Sequence, residues 1–245
     1  MKINYACGLL AVLLLFASLV PSPAQAASEA LEWTSVDKPG KDGNTVVSPS
    51  EVSEIAIGSN GVLYAIDSEN SKVYRSLDGG VTWEDITSYL VDAGAGLPAS
   101  KIAVAPDKPG VVVVVTNDGA KVYLSTNGGI DWTDIDVPSL VVGTIQAIAI
   151  SKEYAQGSKS FREIAIGTAV WGDDVTTGQV WVRQLGGYGT SWQNQDLTID
   201  PSHIGGEVSA LAYSTDYPDD MTILVVASTN SDVGEGTWLC LHHKE

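Results

Sequence analysis

Val73-Tyr74-Arg75-Ser76-Leu77-Asp78-Gly79-Gly80-Val81-Thr82-Trp83 recurs as Val122-Tyr123-Leu124-Ser125-Thr126-Asn127-Gly128-Gly129-Ile130-Asp131-Trp132, an offset of 49 residues. Each copy runs a strand-like segment into a glycine turn and closes on tryptophan. Glycine supplies the positive φ of a tight hairpin, and Asp-Gly or Asn-Gly is a strong short-range hairpin signal. The Asp78 carboxylate can accept backbone N–H bonds inside the turn, and the Asn127 amide oxygen can do so without charge. The indole of Trp83 or Trp132 folds under the hairpin and buries its ring. Because the second copy carries Asn, Asp78 reads as a turn former and not as a catalytic acid or a calcium ligand.

Working outward, the apolar strand around Ile55 recurs around Ile102, Ile148 and Leu211, at offsets of 47, 46 and 63 residues. A period near 50 with four short strands per unit is the signature of a β-propeller. The strands, A to D in each unit, are expected at 52–57, 62–66, 71–76 and 83–87; at 100–105, 111–116, 121–125 and 132–136; and at 145–150, 161–170, 179–184 and 192–197. A fourth unit holds 208–213, 222–228 and 237–242. Val111 to Val115 is a continuous apolar run, as expected of a strand buried on both faces. The third unit keeps Trp192 but has lost the Ser and the Asp. Glu54-Ile55-Ala56-Ile57-Gly58 is identical to Glu163-Ile164-Ala165-Ile166-Gly167, yet the first copy reads as an A strand and the second as a B strand, so the identity is coincidental. The reading is all-β: a propeller of four-stranded antiparallel blades, about 52–87, 100–136, 145–197 and an incomplete 208–245. Leu31 to Val36, with Trp33, reads as a lone outer strand. Four blades in an incomplete propeller are expected, with residues 31–36 not paired to 237–242.

Ser76-x-Asp78-Gly79-Gly80-x-Thr82-Trp83 resembles the Asp-box, or BNR, repeat of sialidase-like and xyloglucanase-like β-propellers, of the sortilin luminal domain and of photosystem II assembly-factor propellers. One box is complete, Ser125 to Trp132 carries Asn for Asp, and the one ending at Trp192 is degenerate. The resemblance implies the fold and places the boxes on the rim opposite the active face. It does not choose among hydrolases, receptors and scaffolds.

The chain begins with Lys2, an apolar core from Leu9 to Val20, and Ala24-Gln25-Ala26, which is the pattern of a cleaved signal peptide over 1–26. The mature chain, 27–245, is therefore expected outside the cytoplasm, secreted or in the cell envelope, with no integral membrane span after cleavage. Cys7 leaves with the leader, so Cys240 is left alone and no internal disulfide is expected. Lys+Arg number 13 against Asp+Glu 30, a formal net charge of −17, which excludes a reader of nucleic-acid backbones and disfavours anionic lipid.

Three arginines, Arg75, Arg162 and Arg183, are all the chain has. A sialidase would need three converging on a substrate carboxylate, and Arg75 and Arg183 lie on C strands away from the axis. No nucleophile elbow accompanies the few histidines. A glycosidase needs two facing carboxylates, about 5 or 6.5–9.5 Å apart. Carboxylates stand on the B–C loops as Asp67, Glu69, Asp118, Asp173, Asp174, Asp232 and Glu235, without Lys or Arg, and could face a cation, a basic partner or a polyol. Trp171 is the best stacking candidate, whereas Trp181 reads as packing. Cys240, His242 and His243 lack a fourth ligand, so no metal and no cofactor are expected; their clustering in the last residues hints at a truncated or frame-changed end. The leading function is a recognition or scaffolding module meeting a protein or polysaccharide at the cell surface. The alternatives are a glycoside hydrolase of xyloglucanase or sialidase-like type, and a propeller like the photosystem assembly factor.

Overall fold

Four antiparallel sheets follow one another along the chain, as the period requires. In the computed structural model, the described residues are 51–170, 178–186, 191–196, 198–200, 203–204, 207–229 and 236–243, all within the unit Lys38–Glu245. The first sheet runs β1 (Val52–Ile57), β2 (Leu63–Asp67), β3 (Lys72–Ser76) and β4 (Glu84–Asp85), each strand paired with the next. A six-residue helix, α1 (Thr87–Asp92), leads to the second sheet of β5 (Lys101–Val104), β6 (Val112–Thr116), β7 (Lys121–Ser125) and β8 (Thr133–Asp134). The third sheet holds β9 (Thr144–Ile150), β10 (Tyr154–Gln156), β11 (Lys159–Ala169), β12 (Val180–Leu185) and β13 (Trp192–Asn194). Here β11 pairs with β9, β10 and β12, because its length serves both the sheet and an added hairpin. A small hairpin, β14 (Thr198–Asp200) with β15 (His203–Ile204), precedes the fourth sheet of β16 (Glu207–Tyr213), β17 (Thr222–Thr229) and β18 (Gly236–His243).

The two identical pentapeptides fall on β1 and β11, a first and a second strand, as their offset requires. The fourth strands are shorter than the sequence implies, and one device explains it. Asp85 accepts the N–H of Thr87 at 2.9 Å, Asp134 that of Asp136 at 3.0 Å, and Asn194 that of Asp196 at 3.0 Å. Each side chain closes a local turn that competes with the ladder and stops the strand. Each stands two residues after a tryptophan, so the third unit keeps this cap although its glycine turn has diverged.

Packing follows the period of two. Val112 and Val114 on β6 join a cluster with Tyr64, Ile66, Val73 and Trp132, while Val113 and Val115 join another with Ile164, Ile166, Trp181 and Trp192. The strand is thus buried on both faces, and each fully buried valine contributes about 1.5–3 kcal/mol relative to exposure. A third cluster sets Val180 and Val182 against Val208, Ile223 and Val225. The first strands pack in series, β1 on β5, β5 on β9 and β9 on β16. On β1, Ala56 faces the second sheet, whereas Ile55 and Ile57 are 56% and 73% exposed. The expected leader over 1–26, the expected strand at 31–36 and its relation to 237–242 lie outside the described residues. Among the described residues no helix is long and apolar enough to cross a membrane.

Candidate functional site

The two glycine turns carry the same hydrogen-bond skeleton. Ser76 Oγ accepts the Gly80 N–H at 2.8 Å and Ser125 Oγ that of Gly129 at 2.8 Å. Asp78 Oδ1 accepts the Thr82 N–H, and Asn127 Oδ1 that of Asp131, both at 2.9 Å. The indoles of Trp83 and Trp132 donate to the carbonyls of Gly80 and Gly129 at 3.0 and 2.9 Å. All four glycines, Gly79, Gly80, Gly128 and Gly129, have positive φ. One charge has changed place. In the first turn Thr82 Oγ1 donates to the Asp78 carboxylate at 2.6 Å; in the second the Asn127 amide donates to the Asp131 carboxylate at 2.7 Å. Hydrogen bonds from the Thr82 hydroxyl first, then from the Thr82 backbone and Ser76, pull the Asp78 carboxyl down to about 2. These side chains are occupied with the turn, and both turns lie at the A–B end of the sheets: Gly79 donates to Gly61 O and Gly128 to Gly110 O.

The arginines do not converge. Arg75 Nη1 donates to Gly128 O at 2.6 Å and its Nη2 to Glu84 at 2.5 Å. Arg162 forks onto Asp107 at 2.6 and 2.9 Å and also donates to Ser151 O. Arg183 donates to Ile135 O. All three therefore tie the first or third sheet to the second. Each bond is charge-assisted, and Arg162, with its side chain 6% exposed, is the most deeply set.

The opposite end of the sheets carries the B–C and D–A connections. Asp67, at the end of β2, is buried and accepts from the backbone N–H groups of Glu51 and Asn70 and from the Asn70 amide. Burial pushes its carboxyl up, but these bonds outweigh it, and the net shift is downward. Its described role is to close the β2–β3 turn. Glu69 and Asp118 are exposed in the first and second of these turns. Trp171, Asp173, Asp174, Asp232 and Glu235 lie outside the described residues. Trp181 is buried in the cluster between the second and third sheets, with Nε1 donating to Gln179 Oε1. Trp192 is likewise buried and donates to Ile135 O at 3.2 Å.

Two features escaped the sequence reading. Glu163 on β11 is fully buried and accepts hydroxyl protons from Tyr154 at 2.8 Å and Tyr217 at 2.6 Å. Burial, and then the Glu163 hydrogen bond, push the Tyr217 phenol far up, so it stays a donor. Tyr217 sits in the turn between β16 and β17, which makes this a polar pin from the third sheet to the fourth. The second feature is a cavity of about 550 Å³ where the ends of all four first strands meet, walled by Ile57, Val104, Ile150 and Tyr213 with Asp107 and Lys152 beside them. It opens at the A–B end, away from the acidic connections.

Among solved structures the chain is similar to an ancestral GH74 enzyme, with a TM-score of 0.52 at 16% identity over 80% of this chain and 26% of that one. The fold is a β-propeller. Its sheets are the blades, and their two ends carry the turns described above. Weaker likenesses are YCF48 bound to D1 peptide, at a TM-score of 0.46 and 18% identity over 88% of this chain and 62% of that one, and the Niastella koreensis GH74 enzyme, at 0.34 and 17% over 72% and 33%. The propeller here spans about a quarter of the ancestral enzyme's length and less than two thirds of that YCF48 chain. No protein-family model matches the sequence, and no curated protein does.

Proposed function

We propose that this chain is a secreted or cell-surface recognition module that binds a partner through its B–C and D–A connections and performs no chemistry of its own. The observation that carries the reading is the deployment of the charged side chains. The arginines that could grip an anionic substrate are spent on tying blades, and Asp67, the buried carboxylate on the candidate face, is spent on its turn. Among the described residues of that face, the exposed carboxylates include Glu69, Asp92 and Asp118, in a chain with a net charge of −17. The Asp-box reading of the glycine turns belongs to the same proposal, with the boxes serving as structural closures.

The test begins with protein exported from a host, whose intact mass should start at Ala27. That protein should bind saturably to an envelope fraction and should turn over neither sialosides nor β-glucans. Robust β-glucan turnover, abolished by one Asp or Glu substitution on a B–C connection, would establish the hydrolase alternative that the fold shared with the GH74 enzyme keeps in view.

A further inference from the structure

We infer that the first two D–A connections, with the turn held between them, dock a basic and apolar peptide segment of a protein partner. The inference rests on the recognition reading and names the partner's chemistry. Helix α1 is pinned on its inner side, where Leu90 is buried and Thr87 Oγ1 accepts the Val73 N–H at 3.0 Å. That leaves Tyr89 and Val91 pointing away from the core, 39% and 45% exposed. On the next connection Leu140 and Val142 are 73% and 47% exposed.

The turn at 117–120 bridges the first connection to the start of β9, where the second connection ends. Gly96 and Asn117 exchange bonds, Gly96 N–H to Asn117 Oδ1 at 2.9 Å and Asn117 N–H to Gly96 O at 3.1 Å. Ile145 then donates to Gly119 O at 2.9 Å, and Val142 to Gln179 Oε1 at 3.1 Å. The turn at 117–120 therefore lies between the two apolar connections. Isolated exposed apolar side chains need no explanation, but four on two loops bridged by one turn mark an interaction surface.

Charge decides the occupant. Asp92 and Asp118 are exposed among these residues, and neither connection nor the turn contains Lys or Arg. Among the described residues, the lysines at this end are already neutralised: Lys72 by Asp85 at 2.8 Å, Lys101 by Glu54 at 2.5 Å and Lys121 by Asp134 at 2.7 Å. Lys108 and Lys152 stand on the opposite, A–B turns. A nucleic acid, an anionic lipid surface or a second copy of this acidic chain is repelled. A segment interleaving Lys or Arg with aliphatic or aromatic side chains is complementary in both respects, since charge steers the encounter and apolar anchors hold it.

The probe is a fluorescein-labelled decapeptide alternating lysine with leucine, titrated with the full exported chain by fluorescence anisotropy. A lysine–serine decapeptide is the control for charge alone. The paired change Tyr89→Ser with Leu140→Ser should weaken binding about tenfold, and the lysine–serine peptide should bind the unaltered chain about tenfold more weakly. Asp92→Asn with Asp118→Asn should weaken binding about fivefold and flatten its salt dependence, while Asp131→Asn at the other end changes nothing. All these side chains are exposed, so unchanged melting curves are expected and establish that each variant is folded. Equal binding of the two peptides, or indifference to both paired changes, overturns the inference. Saturable envelope binding that survives Tyr89→Ser with Leu140→Ser also overturns it while leaving the recognition reading intact.

Discussion

Arg75 and Gly128 are 53 residues apart in sequence, yet the guanidinium of the first donates to the carbonyl of the second at 2.6 Å. The bond joins a C strand of one blade to the glycine turn of the next. Glu84 accepts from the other arm of the same guanidinium and completes the fork. Arg75→Ala should therefore cost about 1.5–3 kcal/mol, the usual figure for a hydrogen bond to a charged group. Arg75→Lys should restore only part of it, because an ammonium cannot span both partners with fixed planar geometry. Chemical denaturation of the three proteins measures this, and an unmoved midpoint for Arg75→Ala would refute the tie.

The tryptophans of the two glycine turns should not be equivalent. Trp132 is buried in the cluster between the first two blades, whereas Trp83 is partly open to solvent. Trp132→Ala should cost about 3–5 kcal/mol, the range for deleting a buried aromatic, and Trp83→Ala distinctly less. Equal losses in a denaturation series would contradict the packing.

The relocated charge in the turns predicts a difference in acid. The Asp78 carboxyl is lowered from 3.8 to about 2, so its ionised form favours the fold. That contribution is complete above the unfolded value and is lost as pH falls through the folded one. Asp78→Asn should be mild at neutral pH, because Asn127 supports the same turn. The gap in melting temperature between the parent and Asp78→Asn should move against the parent as pH falls from about 5 to about 2. A gap independent of pH would show that the carboxylate's ionisation does not contribute.

Tyr217 and Glu163 offer a coupled test between the third and fourth blades. Tyr217→Phe deprives a fully buried carboxylate of a 2.6 Å donor and should cost about 1–3 kcal/mol. With Glu163→Gln already present the same change should cost less, since a neutral amide needs the hydroxyl less than a carboxylate does. A double-mutant cycle reads the coupling, and strict additivity would sink the pin.

The glycine turns were legible because their cause is local. Ser76, Asp78 and Gly80 bond within a few residues of one another, so their spacing carries the geometry. The run Val111–Val115 was legible for a similar reason: five consecutive valines can satisfy a period of two only if both faces are covered. The cap at Asp85, Asp134 and Asn194 was equally local and went unread, although its place two residues beyond each tryptophan was there to be found. The acidic connections were visible as composition, but the apolar residues among them were not, since exposure of Leu140 or Tyr89 is not a property of the residue.

By itself the sequence determined the repeat, the order of the principal strands of each blade and the chemistry of the turns, all of which depend on neighbours along the chain. Only the tertiary structure decided what the arginines do, which end of the blades holds the cavity, and that Glu163 is a buried acceptor while its twin Glu54 is a half-exposed partner of Lys101. The physical reason lies in that pair. Two identical pentapeptides carry the same propensities, but Glu54 meets Lys101 where water still reaches both side chains, whereas Glu163 lies fully buried between two blades, where a carboxyl group without donors costs too much.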